Sequence, residues 1–246
     1  MSSLWLRCQR RRPNASTRLV CLPHAGGTAA FFTPWADRVP APLEVTAVQY
    51  PGRQDRRTDP PAATVRDLAT SVAGAIDLTD PRSIVLFGHS LGALVAYELA
   101  RVLTAWGRAP DRLVVSGRRP PGESTGRSWH TRSDADLIAE LVRLGGMADI
   151  RFFEDAETRR LFLPAIRDDF RLAETYRHRA DPVLSCPVTA VIGADDPEVD
   201  AGQAARWADC TTGRFDAHVL PGDHFYLVPH RGRVLSLLSA EGARLP

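Results

Sequence analysis

Apolar positions along the chain fall into two alternating rhythms. Short runs rich in β-branched residues and bounded by turn residues predict buried strands at residues 18–22, 44–49, 84–87, 112–117, 188–193 and 215–220. Residues 4–6 predict a short edge strand. Between them, apolar residues recur at three-or-four spacing, clearest at Val65, Leu68, Val72 and Ile76, which predicts a helix over 64–76. Further helices are predicted over about 28–39, from Ala93 to Ala100, at 201–208 and at 231–239. Strands alternating with helices imply a mostly parallel central sheet flanked by helices, joined by right-handed crossovers. The alternation stops between Gly117 and Pro187. There Leu137, Ile138, Leu141, Val142 and Leu144 mark a helix capped by Ser133 and stopped by Gly145. A second helical stretch covers about 155–178, with Phe162, Leu163, Ile166, Phe170, Leu172 and Tyr176 on its apolar side and Pro164 beginning or kinking a helix within it. The expected organisation is a core of 1–117 and 187–246, with a helical lid, 118–186, inserted after the strand ending near Gly117.

Composition narrows the class. With 246 residues and 44% hydrophobic content, one α/β domain can bury an ample core. The 31 basic residues, all arginine, nearly balance 29 acidic ones, so no nucleic-acid or membrane partner is expected. Cys8, Cys21, Cys186 and Cys210 form no Cys-x-x-Cys pair, which argues against a disulfide framework or a metal cluster. No signal peptide or membrane span is readable. The expectation is a cytoplasmic monomer without metal or cofactor.

The predicted strand at 84–87 runs into Gly88-His89-Ser90-Leu91-Gly92 and then into a helix. A Gly-x-Ser-x-Gly turn between strand and helix lifts a serine hydroxyl clear of the backbone, the nucleophile elbow of α/β-hydrolases. A hydroxyl is a weak nucleophile at neutral pH and needs a base that is itself oriented by a carboxylate. In that fold the order is Ser, then acid, then His, each in a loop beyond a strand. Asp196 and His224 follow the strands at 188–193 and 215–220. Asp195 is the rival acid and reads better as a turn residue. Of the other histidines, His89 points away from the serine, His24 lines the site, His218 lies mid-strand, His130 and His178 fall in the insertion, and His230 opens the last helix. The tetrahedral intermediate needs two backbone donors. One is the N–H of Leu91; the other comes from Ala25 or Gly26 in the loop His24-Ala25-Gly26-Gly27.

Leu22-Pro23-His24-Ala25-Gly26-Gly27, Gln49-Tyr50-Pro51-Gly52-Arg53, Gly88-His89-Ser90-Leu91-Gly92-Ala93, Ser116-Gly117-Arg118, Leu161-Phe162-Leu163-Pro164 with Asp168-Asp169-Phe170, and Pro221-Gly222-Asp223-His224-Phe225 together resemble the type II thioesterases of polyketide and nonribosomal peptide synthesis. The resemblance spans almost the whole chain. It implies an α/β-hydrolase fold and removal of stalled or aberrant acyl groups from the phosphopantetheine arm of an acyl or peptidyl carrier protein. It carries the catalytic roles to Ser90, Asp196 and His224, and the oxyanion donors to Ala25 and Leu91. Spacing alone gives a serine hydrolase; thioester and carrier protein come from the resemblance. The rival readings are a carboxylesterase or lipase acting on free esters and a non-catalytic carrier-binding module, the latter disfavoured by an intact triad. Arg53, Arg56, Arg57 and Arg119 leave strands toward the expected site, where with His24 they could contact substrate or steer an acidic carrier protein. The competing expectation pairs Arg53 and its neighbours with Asp55 and Asp59 inside their own loop.

Overall fold

A computed structural model describes residues 4–123, 126–145, 150–180 and 182–239. The expected core and insertion therefore each include residues outside the described ones. Seven described strands form one sheet: β1 (Leu6–Arg7), β2 (Thr17–Leu22), β3 (Leu43–Val48), β4 (Ser83–His89), β5 (Arg112–Ser116), β6 (Val188–Gly193) and β7 (Phe215–Leu220), in the order β1-β3-β2-β4-β5-β6-β7. Only β1 is antiparallel, with Leu6 opposite Val48; the other neighbours run parallel. Every residue of β3 is buried, as are Ile84 to His89 of β4, because helices cover both faces.

The helices are α1 (Thr33–Ala36), α2 (Val65–Ala73), α3 (Leu91–Ala105), α4 (Asp134–Arg143), α5 (Ala156–Thr175), α6 (Ala201–Ala205) and α7 (Arg231–Ser239). Alternate strand residues face opposite layers. Val20, Leu86 and Val115 pack with α2 and α3, whereas Leu19, Phe87 and Val114 pack with Trp35 of α1 and Val234 and Leu235 of α7. Nine residues make a marginal helix on their own, so α2 depends on burial of Val65, Leu68 and Val72, each contributing roughly 1.5–3 kcal/mol. The Thr64 hydroxyl caps it by accepting from the Asp67 N–H at 3.1 Å, and Ser133 caps α4 in the same way.

Several expected elements differ. The edge strand is shifted to Leu6–Arg7. In place of one helix over 28–39, a 3-10 turn at Ala29–Phe32 leads into the single turn of α1, because Pro34 has no N–H to continue the ladder. The helix expected at 201–208 ends at Ala205 and tightens into a 3-10 turn, Arg206–Cys210. Pro164 does not begin a helix but lies inside α5, which continues through it. The bond that proline forfeits is offset by burial of Leu163, Ile166, Phe170 and Leu172. Phe162, expected on the apolar side, is exposed and stacks on Phe152 at 5.1 Å.

The parallel strand order reverses between β2 and β4, so the loops leaving these two strands diverge and open a crevice at the carboxyl end of the sheet. The loop at 24–27 and Ser90 both lie there.

Candidate active site

Strand β4 delivers the chain to Ser90 at φ 55° and ψ −116°, a conformation open to few residues with a side chain. The turn is held from outside. The Ser90 N–H donates to Ser116 O at 2.8 Å, and the Ala93 N–H donates to Ser90 O at 3.0 Å. Bare backbone crosses here. A Cβ on Gly92 would sit 2.1 Å from Leu22 O, and one on Gly88 would sit 2.1 Å from Gly92 O. Leu91 opens α3, so its N–H is among the donors that have no acceptor inside the helix.

Strands β6 and β7 lie side by side and end together. The Ala194 N–H donates to Leu220 O at 2.8 Å and the Asp195 N–H to Gly222 O at 3.0 Å, which zips the two following loops. His224 Nδ1 then lies 2.9 Å and 3.0 Å from the two oxygens of Asp196, and the side chains of His224 and Asp196 are 2% and 0% exposed. A carboxylate only accepts, so the imidazole proton sits on Nδ1 and leaves Nε2 as the basic nitrogen. Asp196 Oδ1 also accepts from the Glu198 N–H at 2.9 Å. The neighbouring acids are thereby separated: Asp196 is on the histidine, and Asp195 is exposed.

Ser90, Leu91, His24, Ala25 and His224 line one cavity of about 450 Å³, which Ile166 and Phe170 of α5 also line. Two further histidines flank His224 as neutral rings. Burial, reinforced by the charges of His224 and Arg53, pulls His24 down to about 3. Burial likewise holds His89 well below its ordinary value. A hydrogen-bond chain fixes the His89 tautomer: Tyr226 O–H donates to Val191 O, Ser116 Oγ–H donates to Tyr226, and His89 Nδ1–H donates to Ser116 Oγ at 2.9 Å. His89 thus brings no positive charge to the His224 ring, 4.9 Å away.

The loop after β2 separates the two oxyanion candidates. The Gly27 N–H closes a turn on His24 O at 2.9 Å, and the Gly26 N–H donates to Asp169 Oδ2 at 2.7 Å, so both are committed. No backbone hydrogen bond engages the Ala25 N–H among the described residues, and Ala25 lines the cavity. Asp169 escaped assignment from the sequence, where it stands only within a motif. The available signal was an acid at the buried spacing of Ile166 and Phe170, on the apolar face of α5.

The arginines correct another expectation. Arg53 is not on the rim; it is buried, with NH1 and NH2 donating to the two Asp169 oxygens at 2.7 and 2.8 Å. Arg56 is buried too, over the Trp5 ring at 3.8 Å, donating to Gln49 O at 2.9 Å and to Asp59 at 2.8 Å. A guanidinium spent on internal partners cannot steer a docking protein. Arg119 is half-buried on Glu198 O, Asp55 pairs with Arg7, and Arg57 remains exposed. Among the described residues no group of three or more His, Cys, Asp or Glu could hold a metal, and no helix is long and apolar enough to cross a membrane.

A mostly parallel sheet, an elbow after β4 and acid and histidine loops after β6 and β7 place the chain in the α/β-hydrolase fold. It belongs to the thioesterase family, whose domain model matches residues 17–241. The chain is 45% identical over 231 residues to thioesterase PikA5 of Streptomyces venezuelae, covering 92% of this chain and 81% of that protein. Its fold matches the type II thioesterase BorB from the borrelidin biosynthetic cluster with a TM-score of 0.89 and 41% identity, covering 98% of each chain. It also matches YbtT, a type II thioesterase from the yersiniabactin NRPS/PKS pathway, with a TM-score of 0.88 and 30% identity over 96% of this chain and 97% of that one.

Proposed function

We propose that the protein is a serine thioesterase that hydrolyses acyl groups from the phosphopantetheine arm of acyl or peptidyl carrier proteins, clearing stalled or aberrant intermediates of polyketide or nonribosomal peptide synthesis. The observation that carries this reading is the shared cavity. Ser90, held at positive φ, and His224, gripped by a fully buried Asp196, face the same space. The pathways of the similar type II thioesterases BorB and YbtT support the substrate class.

In this reading His224 Nε2 takes the Ser90 proton as Oγ attacks the thioester carbonyl, and Asp196 stabilises the resulting imidazolium. The oxyanion forms between the N–H groups of Ala25 and Leu91. Collapse expels the pantetheine sulfur, which leaves easily because a thiol ionises near pH 8.5, and the imidazolium returns its proton to it, releasing the free thiol and a neutral His224. Water, deprotonated by the same imidazole, then attacks the acyl-serine and releases the acid. Residues 118–186 act as the lid: Ile166 and Phe170 cover the acyl group and exclude water until the arm has delivered it. Arg57, exposed, is what remains of the docking rim, since Arg119 donates through Nε and a terminal nitrogen to Glu198 O.

A serine-directed phosphonate tests this reading. It should label the protein once, and Ser90→Ala should abolish both labelling and turnover with an unchanged circular-dichroism spectrum. A labelled Ser90→Ala protein would move the nucleophile elsewhere.

A further inference from the structure

Helix α5 does more than roof the cavity. Ile166 Cγ1 lies 3.0 Å from the point where a Cβ on Gly26 would stand, so α5 rests directly on the loop after β2. One carboxylate, that of Asp169, then joins three segments. It accepts the Gly26 N–H at 2.7 Å and both terminal nitrogens of Arg53 at 2.7 and 2.8 Å. Arg53 NH1 also donates to Gly27 O at 2.9 Å, and Arg53 Nε to Pro51 O at 3.2 Å. Both residues are buried, so this clamp works in a low dielectric.

Peptide geometry turns the clamp into an aiming device. His24 C=O and Ala25 N–H belong to one planar, trans peptide and point in opposite directions. The Gly27 N–H grips His24 O on one side, which directs the Ala25 N–H to the other. The next peptide, between Ala25 and Gly26, is fixed by Asp169. Adjacent planes held at both ends leave the Ala25 N–H little rotational freedom.

We propose that Asp169 is a positioning residue for the oxyanion donor: through the Gly26 N–H, and with Arg53 as its counter-ion, it holds the Ala25 N–H on the oxygen of the tetrahedral intermediate. This rests on the acyl-transfer reading above, and it makes α5 part of the catalytic apparatus as well as its cover.

The test uses an acyl-pantetheine thioester and an alkylboronic acid, whose serine adduct places an oxygen where the oxyanion forms. In Asp169→Asn, kcat should fall roughly 10²-fold, the cost of one oxyanion donor, with KM within about threefold. Boronate affinity should fall by a similar factor. Because Asp169→Asn leaves Arg53 without its charge partner, the double variant Arg53→Met with Asp169→Leu is measured beside it. Apolar replacements of similar volume often preserve the stability of a buried pair, yet leave the Gly26 N–H without its acceptor. The double variant should lose less melting temperature than Asp169→Asn, because no charge is left unpaired, and show the same loss of kcat and boronate affinity. Wild-type kcat and boronate affinity in either variant, whatever its melting temperature, would reduce Asp169 to a brace and overturn the inference. A wild-type enzyme inert toward the thioester would instead sink the thioesterase reading.

Discussion

Replacing Asp196 by Asn changes no volume, yet the hydrogen bonds around it dictate which way the amide must face. Asp196 Oδ1 accepts from the Glu198 N–H at 2.9 Å, so the single carbonyl oxygen of Asn is held there. Its NH₂ group then takes the place of Oδ2, the oxygen nearer to His224 Nδ1 at 2.9 Å against 3.0 Å for Oδ1. A donor facing Nδ1 forces the imidazole proton onto Nε2, the nitrogen that must accept the proton of Ser90. The wrong tautomer and the lost charge, at a side chain 0% exposed, should together cost about 10⁴ in kcat, or about 5 kcal/mol of barrier. KM should stay within a few-fold. Asp195→Asn is the control, since that side chain is exposed and its structural bond is made by the backbone N–H. It should keep kcat within about twofold and stability within about 0.5 kcal/mol. The assay is steady-state release of free thiol from an acyl-pantetheine, with thermal unfolding in parallel. An Asp196→Asn enzyme retaining more than a tenth of wild-type kcat would refute the tautomer argument, and a large loss in Asp195→Asn would transfer the role.

Two further predictions concern stability. His24 titrates at about 3 in the folded chain and near its ordinary value when unfolded, so below about pH 6.5 the unfolded state takes up a proton that the folded state refuses. Stability is therefore lost as pH falls through that window, and His24→Gln should lose less melting temperature than wild type between pH 7 and pH 4; equal losses would remove His24 from the account. Gly92→Ala, whose Cβ would stand 2.1 Å from Leu22 O in rigid sheet backbone, should cost about 3 kcal/mol and lower the melting temperature by roughly 6–12 °C, whereas Gly232→Ala, in open space on α7, should raise it slightly. A Gly92→Ala protein that melts like wild type would contradict the described crossing of backbones at the elbow.

What could be read from the chain follows from how local each signal is. Strands β2 to β6 are apolar runs buried along most of their length, and that pattern survives folding; β7 is legible to the residue as well, although two of its six positions are exposed and one is buried. The elbow was legible because its glycines serve a turn of five residues. The pairing of Asp196 with His224 was legible because chain order in this fold is fixed. The helix expected at 28–39 failed where Pro34 outweighed the aromatic periodicity of Phe31, Phe32 and Trp35, which pack on the sheet without needing a long helix. The arginines failed for a different reason. Arg53 and Asp169 are 116 positions apart, and no local pattern tells a solvated arginine from one that crosses a loop to meet a buried carboxylate. Arg56 was half legible, since Asp59 is close in sequence, but the Trp5 ring beneath it is not.

The central claim is that Ser90 acts on a thioester presented by a carrier protein. The most direct measurement is hydrolysis of one and the same short acyl group attached to a carrier protein, to coenzyme A and to a simple alcohol, compared as kcat/KM. The account predicts the order carrier protein, then coenzyme A, then oxygen ester, with all three activities lost in Ser90→Ala; an oxygen ester turned over faster than either thioester would contradict it.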